Sequence, residues 1–176
     1  RWTVFLSDIL RIRSNATGGN ALLAYIHKAL EENRPWDELA RKMISANGTT
    51  GNAPAVGFIL GEDADPMALA AATSQMFLGV RMQCAQCHNH PFDVWKQKQF
   101  YELATYFGKT RRMENQFSRR VYTTEADATT VLWPPESRKP KVRNPVLPKF
   151  PIELDEYEEK PEFVKRFEAK RAQMQV

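Results

Sequence analysis

Apolar residues recur at helical spacing through most of the first hundred positions. Asn20 stands at an N-cap position before Leu22, Tyr25, Ile26, Ala29 and Leu30, which fall at i, i+3, i+4, i+7 and i+8 and so share one helical face. Pro35 restarts the chain. Trp36, Leu39, Ala40, Met43 and Ile44 then repeat the spacing, and Gly48 stands where a helix stops, so residues 20–47 predict a helix pair. Asn47-Gly48, Gly51-Asn52 and Pro54 are turn signals and predict a loop over 48–62. Asp65-Pro66 pairs a cap with proline at the first helical position. It opens a third helix with Leu69, Ala72, Thr73, Met76, Phe77 and Val80 on one face, expected to run into Cys84. A fourth helix is expected over about 95–107, with Phe100, Leu103, Ala104 and Phe107 as its stripe and Gly108 as its stop.

The pattern then changes. Val121–Thr124 and Thr129–Trp133 are β-branched and aromatic, and the four residues between them predict a short β-hairpin. Seven of the eleven prolines fall between Pro134 and Pro161, too dense for a helix, and read as an extended strap. Phe163, Val164, Phe167 and Met174 among charged residues mark a terminal helix or tail. The expected organisation is one domain over 1–133, followed by a Pro-rich strap and charged tail over 134–176. A chain that begins at Arg1 is expected to be a module of a larger polypeptide.

Composition agrees with a folded domain. With 176 residues, 43% of them hydrophobic and 26% charged, wholesale disorder and a disulfide scaffold are both disfavoured. The net charge of +4 is uneven: residues 109–149 hold ten basic against four acidic side chains, whereas 150–176 hold five against seven. A mixed, solvated surface accounts for this, and no stacking motif suggests nucleic acid as a partner. No apolar run reaches the roughly 18 residues of a membrane span.

The two cysteines form a single constellation, Cys84-Ala85-Gln86-Cys87-His88, the C-x-x-C-H pattern of covalent haem attachment. Residues i and i+3 put both thiols on one side of a helical turn, where they can form thioethers, and the following His88 is placed as proximal iron ligand. A structural disulfide across this short loop gains little from chain entropy, and a thioredoxin-like pair wants a preceding strand. A zinc site built on Cys84, Cys87, His88 and His90 is the more serious rival, although no second pair completes a tetrahedron. Sequence elements of P-loop, Rossmann, nucleophile-elbow and H-E-x-x-H sites are absent.

The run from Phe77 through Cys84-Ala85-Gln86-Cys87-His88-Asn89-His90-Pro91-Phe92-Asp93-Val94-Trp95, followed by Tyr101 and Phe107, resembles a planctomycete-type cytochrome c-like domain family of unknown function. Asn33-Arg34-Pro35-Trp36-Asp37 is similar to an earlier stretch of that family. The likeness spans about 20–108. It implies an exported module, normally joined to further cytochrome-like domains, and leaves the reaction undefined.

The expectation is therefore a mainly α fold, about four helices around one covalent haem c, with a short hairpin and a Pro-rich strap. Cys84, Cys87 and His88 are the attachment and proximal residues. Phe77, Phe92 and Trp95 are expected in the haem wall, and His90 beside the proximal ligand, paired with Asp93, a propionate or a backbone group. His27, Met43 and Met113 are candidate distal ligands, and an open sixth position is also allowed. One-electron transfer in a periplasmic or otherwise exported compartment is expected, with a redox protein or neighbouring domains as partner. A zinc- or Cys-pair-stabilised interaction module and a five-coordinate haem sensor or peroxidase-like enzyme are the alternatives.

Overall fold

A single helix, α5 (Pro66–Phe77), lies between two hydrophobic cores and supplies side chains to both. Leu69 and Ala72 enter the first core, while Ala70 and Ala71 enter the second. Such a helix must be apolar nearly all round, and residues 69–74 are all buried. Asp65 caps it as expected: its Oδ1 accepts from the backbone N–H groups of Met67 at 2.7 Å and Ala68 at 3.3 Å.

The computed structural model describes residues 1–135 and 143–151. Before α5 come α1 (Trp2–Ile9), α2 (Gly19–Glu31), α3 (Trp36–Ile44), the two-residue strand β1 (Gly48–Thr49), a 3-10 turn at Pro54–Val56 and α4 (Gly57–Gly61). After it come a 3-10 helix at Met82–Gln86, α6 (Gln97–Ala104) and a 3-10 turn at Thr105–Phe107. The strands β2 (Thr110–Glu114), β3 (Val121–Glu125), β4 (Leu132–Trp133) and β5 (Asn144–Pro145) follow. The fold is mainly helical, with six α-helices among the described residues and two small antiparallel sheets, ordered β1-β3-β2 and β4-β5.

Several expectations need correction. The segment 48–62 is not a loop: Ala55 to Leu60 are all buried, and α4 is the floor of the first core. Its apolar run is too short to show a period, and Pro54 and Gly57 disguise it. The third helix does not run into Cys84. It stops at Phe77, and Gly79 at φ +69° turns the chain, so that the Val80 N–H donates to the Ser74 carbonyl at 2.9 Å. The hairpin partner also differs. β3 pairs with β2, Arg112 lying opposite Thr123, whereas Thr129–Thr130 form no strand. β2 reads Thr-Arg-Arg-Met-Glu and stays partly or fully exposed, so it carries none of the apolar alternation that marks a half-buried strand. The helix α1 has no buried residue. Most of the Pro-rich strap and the whole tail from Pro161 lie outside the described residues. Within the described part, Val146 beside β5 is buried in the second core, and the β4–β5 pairing bridges position 134.

The first core is closed by backbone approach between α2 and α4. Gly18, at φ +79°, forms the N-cap of α2, one residue ahead of the Gly19 start, so the helix begins earlier than Asn20. A Cβ on Gly57 would lie 2.3 Å from the Gly18 carbonyl oxygen and 2.8 Å from the Leu22 Cβ. Both are far inside ordinary contact, and one neighbour is backbone that has nowhere to move. Gly57→Ala is therefore expected to destabilise the domain by about 2 kcal/mol through overpacking. Urea unfolding checks this, and an unchanged midpoint would show that the two helices have room to separate.

Candidate functional site

Met82 and Ala85 set the position of the C-x-x-C-H motif. Both are fully buried in the second core, with Phe100, Leu103 and Ala104 of α6. They sit three residues apart on a 3-10 helix, which has three residues per turn, so they form one straight inward stripe. Cys84, on the same helix, and Cys87, at its C-cap, have the same spacing, and both are exposed, free thiols. The apolar pair thus holds the segment down and leaves both thiols exposed.

His88 follows on the exposed side, and its ring is oriented. His88 Nδ1 lies 2.6 Å from the carbonyl oxygen of Asn89. A carbonyl only accepts, so in the neutral ring Nδ1 carries the proton and Nε2 keeps its lone pair. This is the tautomer that a proximal iron ligand requires. His90 has the opposite arrangement. Its Nδ1 accepts from the Phe92 N–H at 3.2 Å, which leaves the proton of the neutral ring on Nε2.

The segment after the motif is tied into a rigid loop. The His90 N–H donates to the Trp95 carbonyl at 2.8 Å. Asp93 accepts from the Val94 N–H at 2.8 Å and from the Trp95 indole at 2.9 Å. Asn89 Oδ1 accepts from the Gln97 N–H at 3.0 Å, satisfying a donor left open at the start of α6, and Gln97 Nε2 donates to the Gln86 carbonyl at 3.0 Å. Sequence reading passed over Asn89, Gln97 and the buried Ala85. The three-residue spacing of Met82 and Ala85, in step with the cysteines, was the available signal.

The other candidate residues are spread across the fold. Trp95 is buried in the second core, and Phe92, at 94% exposure, stands free at the loop tip beside Val94 at 78%. Phe77 packs at the first core instead, its ring centroid 5.7 Å from Phe58 and 6.0 Å from Trp36. His27 lies on the outer side of α2, its Nδ1 3.5 Å from Glu31. Met43 is fully enclosed in the first core, and Met113 is half exposed on β2 opposite Tyr122. His90 pairs with backbone and not with Asp93, which the Trp95 indole occupies. Among the described residues no three His, Cys, Asp or Glu side chains converge as a metal site, and a cavity of about 280 Å³ lies away from the motif, between Ile44, Asn47, Tyr106 and Glu125.

Beneath the motif, Tyr101 packs edge-on against Trp133 at 5.2 Å and against Phe100 at 6.2 Å. Burial pushes its phenol above the ordinary range, Cys87 adds to the rise, and Arg143 opposes it.

A family model described as PSCyt2, protein of unknown function (DUF1549), matches residues 1–112, from the start of α1 into β2. No curated protein and no solved structure matches the chain.

The raised phenol gives a pH dependence of known sign. The native state holds the Tyr101 proton more tightly than the unfolded chain, so this contribution to stability is complete below about pH 10 and is lost as pH rises through the folded-state value. Urea midpoints between about pH 9 and about pH 11 should fall less steeply in Tyr101→Phe than in the parent chain. Equal slopes would remove Tyr101 as the group responsible.

Proposed function

The chain belongs to the PSCyt2 family, a planctomycete-type cytochrome-domain family, and on that footing we propose that it is a c-type haem module that carries single electrons. The observation that carries this reading is the pairing of two exposed thiols, Cys84 on the 3-10 helix and Cys87 at its C-cap, with a histidine whose Nδ1 is already spent on a carbonyl. Cys84 and Cys87 would hold the haem through thioethers and His88 would ligate its iron through Nε2. When bound, the haem supplies a reversible one-electron couple.

The chain's own residues supply retention, orientation and exclusion of water. The inward stripe of Met82 and Ala85 keeps the attachment segment in place while leaving the thiols accessible. Phe92 offers apolar surface at the motif, and Trp95 closes the core behind it. Arg81 and Lys96, both exposed and flanking the segment, suit propionate carboxylates. The zinc-stapled interaction module draws less support, because the His90 Nδ1 lone pair is committed to the Phe92 N–H. The chemistry of covalent attachment and the family are consistent with an exported location. A neighbouring domain or separate redox protein is the expected partner.

An open sixth position is the second reading within haem chemistry. Met43 is sealed in the first core and His27 faces Glu31 on the outer side of α2. That placement disfavours two of the three candidate distal ligands and supports an iron with one protein ligand, suited to a small diatomic or peroxide ligand.

Protein matured in a host that attaches haem covalently should show a c-type visible spectrum and keep haem after denaturation. Cys84→Ser with Cys87→Ser should abolish retention, while His88→Ala should preserve attachment and change the spectrum. A high-spin spectrum that shifts on adding carbon monoxide would select the open position. Wild-type protein that matures without retained haem would overturn the proposal.

A further inference from the structure

We propose that Gln97 and Asn89 form a positioning clamp that fixes the Cys87-His88 dipeptide on the N-terminus of α6 and selects the ring tautomer of His88. The inference rests on the haem reading for its purpose, although the clamp itself is a property of the polypeptide. Gln97 reaches both sides of the dipeptide. Its side-chain Nε2 donates to the carbonyl of Gln86, the residue before Cys87, and its backbone N–H donates to Oδ1 of Asn89, the residue after His88, both at 3.0 Å. The Asn89 carbonyl then accepts the His88 Nδ1 proton at 2.6 Å. Three hydrogen bonds therefore run from a helix end to the imidazole through one asparagine and one glutamine.

Each part suits its place. The Gln97 N–H is one of the donors that the first turn of α6 leaves without an intrahelical partner, so it is free to grip a side chain from outside the helix. The neighbouring open donor, the Lys96 N–H, is taken by Gln99 Oε1 at 2.8 Å, which fixes the helix start against which Gln97 pulls. An exposed imidazole in water otherwise favours the tautomer with its proton on Nε2, which would hide the lone pair that iron needs. By aiming the Asn89 carbonyl at Nδ1, the clamp reverses that preference before any cofactor arrives. Outer partners of this kind normally orient a metal-binding histidine and raise its basicity. Here the partner is the backbone of the next residue, and it is the Asn89 side chain that holds this backbone still.

Gln97 and Asn89 are thus positioning residues, and neither touches the iron in this reading. Gln97→Glu keeps the size of the side chain and removes the donor to the Gln86 carbonyl. Asn89→Ala removes the acceptor for the Gln97 N–H and leaves the Asn89 carbonyl in place. Each change is at the surface side of the second core, and the double variant tests both arms together.

The first measurement uses the full chain without haem, by nitrogen-15 NMR of the histidine rings at about pH 9, where imidazole is neutral. The wild type should show His88 mainly as the Nδ1–H form, with His90 as the Nε2–H form serving as internal reference. In Asn89→Ala with Gln97→Glu, His88 should revert to mainly Nε2–H, while His90 is unchanged. The Gln97 backbone amide should also exchange with solvent about tenfold faster in Asn89→Ala, the loss expected for one hydrogen bond. The second measurement is the midpoint potential and line width of the iron signal in haem-loaded protein. Both should change in the double variant, and the single variant Asn89→Ala, which keeps the original glutamine, should show only part of the change.

A wild-type His88 that is mainly Nε2–H, or a double variant identical to wild type in tautomer and amide exchange, would overturn the clamp. If the wild type takes no haem while the tautomer results come out as expected, the haem proposal fails and the clamp stands. If haem is retained and the variants match wild type throughout, the clamp alone fails.

Discussion

Everything at the candidate site depends on one coincidence of period. A 3-10 helix repeats every three residues, and from Met82 to the C-cap at Cys87 the sequence repeats in the same step, with Met82 and Ala85 buried and Cys84 and Cys87 exposed. An α-helix through the same residues would rotate each pair by about 60° per three residues and smear the two stripes around the cylinder. The tighter winding keeps them straight. The buried stripe gives the segment its stability, roughly the burial of one large and one small side chain, and the exposed stripe costs the fold nothing. Structural and chemical demands on the same short segment are thereby separated by face.

The second constraint is that both cores lean on α5. Its small residues Ala70 and Ala71 let α6 of the second core approach closely, while Leu69 and Ala72 join the first core on the other side. Leu69 is the large side chain of this stretch, and it is fully buried on the first-core side. The motif leaves the end of this same helix after a turn at Gly79, so its height above the second core is fixed by where α5 stops. The aromatic cluster of Phe77, Phe58 and Trp36 closes the first core near that point. Phe77 lies close to the motif in sequence, and the turn is what separates it in packing.

Legibility followed the strength of local signals. Asp65-Pro66 announced α5, and the spacing of Leu22, Ile26 and Ala29 announced α2, because caps and 3.6-residue periods are written in nearby residues. The C-x-x-C-H motif and the family likeness were equally visible. What stayed hidden depended on contacts distant in the chain. α4 is five residues long and buried on nearly every side, so it has no polar face to reveal a period. β2 is a strand because β3 pairs with it, its own residues being polar and largely solvated. The end of α5 at Phe77 was missed because Val80 continues the apolar face, and only Gly79, at positive φ, marks the break. At the site, the placing of Phe77 and Met43 at the first core was not legible, since a helical face does not say which core it meets.

Val146 changes what counts as the unit. The family match ends at residue 112, yet the second core under the motif also takes Val131 from beyond β3 and Val146 from beside β5. The Val146 N–H is bonded to the Val131 carbonyl, and the adjacent β4–β5 pair carries Trp133 onto the ring of Tyr101. The end of the family match and the edge of the second core therefore fall in different places. A fragment trimmed to the matched segment would keep Cys84, Cys87 and His88 and lose the plug beneath them, so expression and dissection of this domain should cut no earlier than the close of the β4–β5 ribbon.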